Sequence, residues 1–129
     1  MKIIYNNFIP FKGFKCINLF GVLFARKGAY IGEQTLNHER IHTAQMKEMF
    51  YVGFYVWYFV EWLIGNPFSK PRKSAYYTIP FEICAYANED NPNYLNEFKH
   101  DNHKRYRLKN RKRIYEEHEK DWKSYIKTL

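Results

Sequence analysis

His38-Glu39-Arg40-Ile41-His42 is a His-Glu-x-x-His string inside a stretch patterned as a helix. Residues four apart share a helix face, so His38 and His42 would turn both imidazoles toward one metal ion. Glu39 projects from nearly the same side, with an offset that keeps it from ligating. It would instead take a proton from a metal-bound water. A zinc hydrolase needs this arrangement, because zinc binds imidazole well and lowers the pKa of its water to about 7.

Two imidazoles leave a catalytic zinc short of one protein ligand, with the fourth position kept for water. The leading candidate is Glu82, in the apolar run Ile79-Pro80-Phe81-Glu82-Ile83-Cys84. A carboxylate buried there costs several kcal/mol unless it meets a cation. Ala85 is small enough to let the two helices approach closely. Glu89, two turns further along the same face, is the rival ligand or else a partner for the free ring nitrogen of His38 or His42. Tyr86 also faces that way, and its hydroxyl would stabilise an oxyanion if it does more than pack. Asn37 and Gln45 flank the string as supporting polar groups. His100 and His103 lie among Lys99, Asp101, Lys104 and Arg105 and read as a solvated surface pair. Cys84 reads as a small buried hydrophobe.

These residues must be positioned by the elements around them. KIIYNNFI (2–9) and FKCINLFGVLFAR (14–26) have the β-branched and aromatic content of strands. A helix is predicted from Gly32-Glu33, running without a break to Ile64 and stopping at Gly65-Asn66-Pro67, with Gly53 as a candidate kink. Residues 66–75 read as a loop. A second helix starts with Pro80 at its first position, and a third covers 94–98. The stripe through Tyr115, Trp122, Tyr125, Ile126 and Leu129, with His118 on the same face, predicts a last helix over 114–129.

A chain of 129 residues suits one core. Aromatic residues make up 20%, so that core is expected to be built from Tyr, Phe and Trp. Residues 1–98 carry ten basic and eight acidic side chains, and residues 99–129 carry eleven and five, which places the positive charge in the tail. Two cysteines, Cys16 and Cys84, form no metal or disulfide framework and point to a reducing compartment. The N-terminus shows no secretion signal, so a cytoplasmic location is expected, with peripheral contact at the inner membrane face as a further option. Phe50–Ile64 has Glu61 as its only charge and would be roughly 22 Å long, short of a ~30 Å bilayer core. It suits a buried aromatic helix, or one that dips into a membrane surface. The run Lys104–Arg113 suits a solvated face, anionic lipid headgroups or nucleic-acid phosphates, although no nucleic-acid-binding motif is present.

The string HERIH, followed by a helix of the form E-x-x-A, resembles the gluzincin branch of zinc metallopeptidases. Closer still is a group of small bacterial proteins patterned HE-x-IH, a long aromatic helix, then PFE-x-x-AYANE. Here these are His38–His42, Phe50–Ile64 and Pro80–Glu89, and the resemblance covers roughly residues 15–95. It implies a small α+β zincin-like fold: short N-terminal antiparallel strands, a long HExxH helix and a second ligand-bearing helix. Residues 1–98 would form this metal-binding domain, and 99–129 a basic helical tail. It further implies one zinc ion on His38, His42 and Glu82, Glu39 as general base, and a peptide substrate. The peptide would lie along an exposed sheet edge, assigned to Gly21, Val22, Leu23 and Phe24 within the segment to Arg26. Many gluzincins carry an Asp four residues after the glutamate ligand, where this chain has Tyr86. The alternative function is a non-catalytic zinc-stabilised domain whose tail binds an anionic membrane surface or nucleic acid.

Overall fold

A computed structural model describes residues 1–129. Three short strands, β1 (Ile3–Asn6), β2 (Cys16–Leu19) and β3 (Val22–Arg26), precede six helices. These are α1 (Glu33–Glu48), α2 (Val52–Ile64), α3 (Lys73–Tyr77), α4 (Pro80–Asn88), α5 (Arg111–Glu117) and α6 (Trp122–Ile126). The fold is α+β. No helix is long and apolar enough to cross a membrane.

The sheet differs from expectation in two ways. The predicted strand over 14–26 is two strands, because Phe20 and Gly21 both take positive φ (53° and 88°). That pair forms the two-residue turn favoured in β-hairpins. β2 therefore runs antiparallel to β3, whereas β1 pairs with β3 in parallel. The strand order β1-β3-β2 places β3 in the middle. Gly21, Val22, Leu23 and Phe24 are thus not the substrate edge: Leu23 and Phe24 are paired on both sides, and the free edge toward α1 belongs to β2.

The unbroken helix to Ile64 is also corrected. α1 stops at Met49, and Phe50 and Tyr51 turn the chain through positive φ (53° and 63°). The Met46 carbonyl accepts the Tyr51 N–H at 2.8 Å. A continuous helix would carry the aromatic residues of α2 away into solvent. Folding back instead buries Phe54 against Phe81, with ring centroids 4.8 Å apart, and beside Met46 and Ile79. Gly65 ends α2 as expected, and its role there is steric. A Cβ on it would lie 2.7 Å from the Cα of Ala75, so α3, unforeseen within the 66–75 loop, packs directly on that end.

α4 begins with Pro80 at its first turn, as predicted. The 94–98 helix is a single 3-10 turn, Tyr94–Glu97. The last helix is split at His118 into α5 and α6, with a 3-10 turn between them. Its apolar stripe nevertheless faces inward: Tyr115, Trp122 and Ile126 share one cluster with Ile41 of α1 and Ile83, Cys84 and Ala85 of α4. The basic tail is therefore part of the main core. It is fastened by Trp122, whose indole N–H donates to the Tyr77 carbonyl at 3.1 Å. Beneath α2, Glu61 is 1% exposed and pairs with Arg107 and with Arg111 Nη1, the latter at 2.8 Å.

Candidate metal centre

α1 is amphipathic in an unusual sense, since its inward face is polar: Asn37, His38, His42 and Gln45 are all buried. α4 crosses this face, and the fully buried Ala85 lets the backbones approach. The crossing brings Glu82 Oε1 to 3.0 Å from His42 Nε2 and 3.3 Å from His38 Nε2. The two Nε2 atoms are 3.1 Å apart. Three donor atoms of one potential ion thus converge. Zinc at about 2.0–2.1 Å from each donor would space tetrahedral neighbours roughly 3.3 Å apart, close to the observed separations.

The outer ring nitrogens determine what the inner ones present. His38 Nδ1 meets Glu89 Oε2 at 2.9 Å, and His42 Nδ1 meets Gln45 Oε1 at 2.8 Å. Gln45 is itself oriented, because its amide N–H donates to the Phe81 carbonyl at 3.3 Å. Both Nδ1 atoms therefore carry the proton, and both Nε2 atoms offer bare lone pairs toward a carboxylate. Three acceptors at this spacing require a positive charge between them. Burial opposes a charged His38, but hydrogen bonds to Glu82 and Glu89 outweigh it and raise its pKa to about 9. Burial likewise opposes a charged His42, and the Glu82 charge overrides it. Burial pushes the Glu82 carboxyl up, yet His42 and His38 hold it well below the usual carboxylate range. The donor set fits a divalent ion of zinc's chemistry.

The remaining oxygen of Glu82 accepts the Tyr58 hydroxyl at 2.9 Å. No sequence signal singles out Tyr58 among twelve tyrosines. Its role arises only because α2 folds back. Asn37 acts from a distance, donating to the Glu89 carbonyl at 2.8 Å and the Asn91 carbonyl at 3.0 Å, which fixes the end of α4. Glu89 is thus placed behind His38, while Glu82 faces the paired rings. Tyr86 packs on His38 with ring centroids 4.4 Å apart. His103 departs from expectation, being buried, while His100 is exposed. Cys84 is buried, and its sulfur lies 3.3 Å from the Tyr94 hydroxyl.

The three donors lie at the floor of a cleft of about 750 Å³. β2 and the preceding Phe11 and Phe14 form one wall, and Tyr55, Tyr58, Tyr76 and Tyr86 line the other, with half-exposed Glu39 between them. Asn18 Nδ2 donates to the Glu39 carbonyl and to Thr43 Oγ1, each at 3.0 Å, pinning α1 to β2. Comparison with protein-family models, curated proteins and solved structures finds no match to this chain.

The orienting bonds predict a measurable effect on affinity. Glu89→Gln and Gln45→Ala are each expected to weaken zinc binding about 10–100-fold, because each releases one imidazole from its tautomer and angle. Competition against a chelating dye would show this, and unchanged affinity would mean that the rings are held by packing alone.

Proposed function

We propose that the protein is a zinc-dependent hydrolase of the gluzincin type, and that its substrate is a peptide. The supporting observation is the convergence of His38 Nε2, His42 Nε2 and Glu82 Oε1 within 3.3 Å at the floor of an open cleft. Zinc held there would supply an acidified water and polarise a carbonyl. The chain's own residues do the rest. His38 and His42 present their Nε2 lone pairs, with Glu89 and Gln45 holding the opposite nitrogens. The Glu39 carboxylate takes the proton of the attacking water and delivers it to the leaving amine. Burial raises the pKa of the Tyr86 phenol, so it remains a donor suited to a developing oxyanion.

The peptide would lie along β2 rather than β3. Ladder alternation turns the main-chain groups of Cys16 and Asn18 to the free edge, and the Tyr55 hydroxyl already caps the Asn18 carbonyl at 3.2 Å. Strand addition there supplies main-chain hydrogen bonds, while Phe11, Phe14 and the tyrosine wall select apolar side chains. The test is cleavage of an unfolded protein substrate by zinc-loaded wild type beside Glu39→Gln.

A second observation suggests where the protein works. Val52, Val56, Phe59, Val60, Leu63 and Ile64 make the outer side of α2 an exposed apolar surface. Ile64 borders a pocket also lined by Lys112 and Arg113, neither of which pairs with Glu61. An apolar face beside a cationic one matches an anionic lipid surface. Phe59→Asp is expected to cut sedimentation with phosphatidylglycerol vesicles at least about tenfold, with little binding to phosphatidylcholine by either protein. Equal binding to both lipids, or to neither, would remove this reading.

A further inference from the structure

Three buried side-chain polar atoms in this protein lack a hydrogen-bond partner, and all three belong to two neighbouring residues. They are Glu48 Oε1 and both ring nitrogens of His103. Buried polar groups are ordinarily hydrogen-bonded, and leaving them unsatisfied is costly, so their coincidence in one place calls for a physical cause. His103 is 2% exposed and wedged between aromatic rings, 4.4 Å from Phe81 and 5.1 Å from Trp57 by ring centroid. Neither ring offers its nitrogens a partner of hydrogen-bond strength. Glu48 ends α1, and Asp101 opens the turn that carries His103. A donor atom from each of the three lies within 4.8 Å of the others.

We propose that Glu48, Asp101 and His103 form a second divalent-cation site, of mixed nitrogen and oxygen chemistry suited to zinc. A cation there satisfies Glu48 Oε1 and one ring nitrogen of His103 at once, which no side chain in the protein does. The exposed His100 lies at the rim, its Nδ1 3.5 Å from Glu48 Oε2 and its Nε2 3.3 Å from Asp101 Oδ2. One imidazole and two carboxylates supply three protein donors, and His100 or a water would fill the fourth position of a tetrahedron.

The donors of Glu48, Asp101 and His103 lie within 4.8 Å of one another, and side-chain rotation of Asp101 would bring them to the roughly 3.3 Å spacing of an occupied tetrahedron. Lys104 Nζ, 3.1 Å from Asp101 Oδ2, is the resident positive charge that the ion would displace. The backbone is already set. The Asp101 N–H donates to Glu48 Oε2 at 2.8 Å, joining the end of α1 to the tail. The ion would strengthen this joint, clamping the HExxH helix to residues 100–103. It is structural and independent of the cleft.

The experiment is equilibrium dialysis of the full chain against zinc, comparing wild type with Asp101→Asn and Glu48→Gln. Asp101 sits at φ 58°, a conformation Asn accepts readily, so the first variant keeps its backbone. Each variant is expected to bind one equivalent fewer than wild type, while the signals of His38 and His42 in an imaging of imidazole 15N shifts stay as in wild type. In the wild-type spectrum, zinc should move the His103 ring nitrogens. Equal stoichiometry in wild type and Asp101→Asn, or His103 resonances indifferent to zinc, would overturn the proposal and leave buried water as the partner of those atoms. Loss of metal only at His38 and His42 would count against the cleft and not against this site.

Discussion

Glu39→Gln is expected to reduce peptide hydrolysis by about 10²–10⁴-fold, the usual contribution of a positioned general base, with zinc content unchanged. The substitution keeps the shape of the side chain and removes its ability to accept a proton. Nothing in the scaffold depends on that carboxylate. The contacts that pin α1 to β2 run from Asn18 Nδ2 to the Glu39 carbonyl and to Thr43 Oγ1. The loss should therefore fall on kcat, with KM little altered. Full activity in the variant would defeat the mechanism. A zinc-loaded wild type that cleaves nothing would favour the metal-stabilised domain, in which the three donors only hold α1 to α4.

Glu61→Ala is expected to destabilise the fold by about 3–5 kcal/mol, measured by urea unfolding of the zinc-loaded protein. Glu61 receives Arg111 Nη1 at 2.8 Å, and Arg111 also bonds the Glu61 carbonyl. Arg111 is only 8% exposed, so removing the carboxylate leaves a buried guanidinium without its counter-charge. Glu61→Ala with Arg111→Met should recover much of the loss, because an apolar pair of similar volume carries no desolvation cost. A change below about 1 kcal/mol in the single variant would show that Arg111 reaches solvent.

The residues of the candidate metal centre are legible in the sequence because their chemistry is local. His38 and His42 share a face by helical arithmetic, and Glu82 stood out as a charge in an apolar run preceded by a proline that opens a helix. The break at Phe50-Tyr51 was not legible. Two aromatic residues at positive φ contradict local preference, and only the burial of Phe54 against Phe81 favours them. Tyr58 follows from that break, so it was hidden for the same reason. The sheet was misread because Phe-Gly inside an apolar run looks like continued strand, and because parallel pairing of β1 with β3 depends on contacts distant in sequence. His103 was read from its charged neighbours, whereas its environment is set by Trp57 and Phe81, more than twenty residues earlier.

The sharing of one core between α1, α4 and the tail has a consequence for biosynthesis. Every residue from His38 to Glu89 has been translated well before Trp122 and Ile126, which close over Ile41 and Ile83. At about 5–20 residues per second, a ribosome needs roughly 2–7 s to cover that interval. During those seconds the nascent chain would expose its apolar interior, so a holding chaperone has most to protect there, and metal loading is best completed after release.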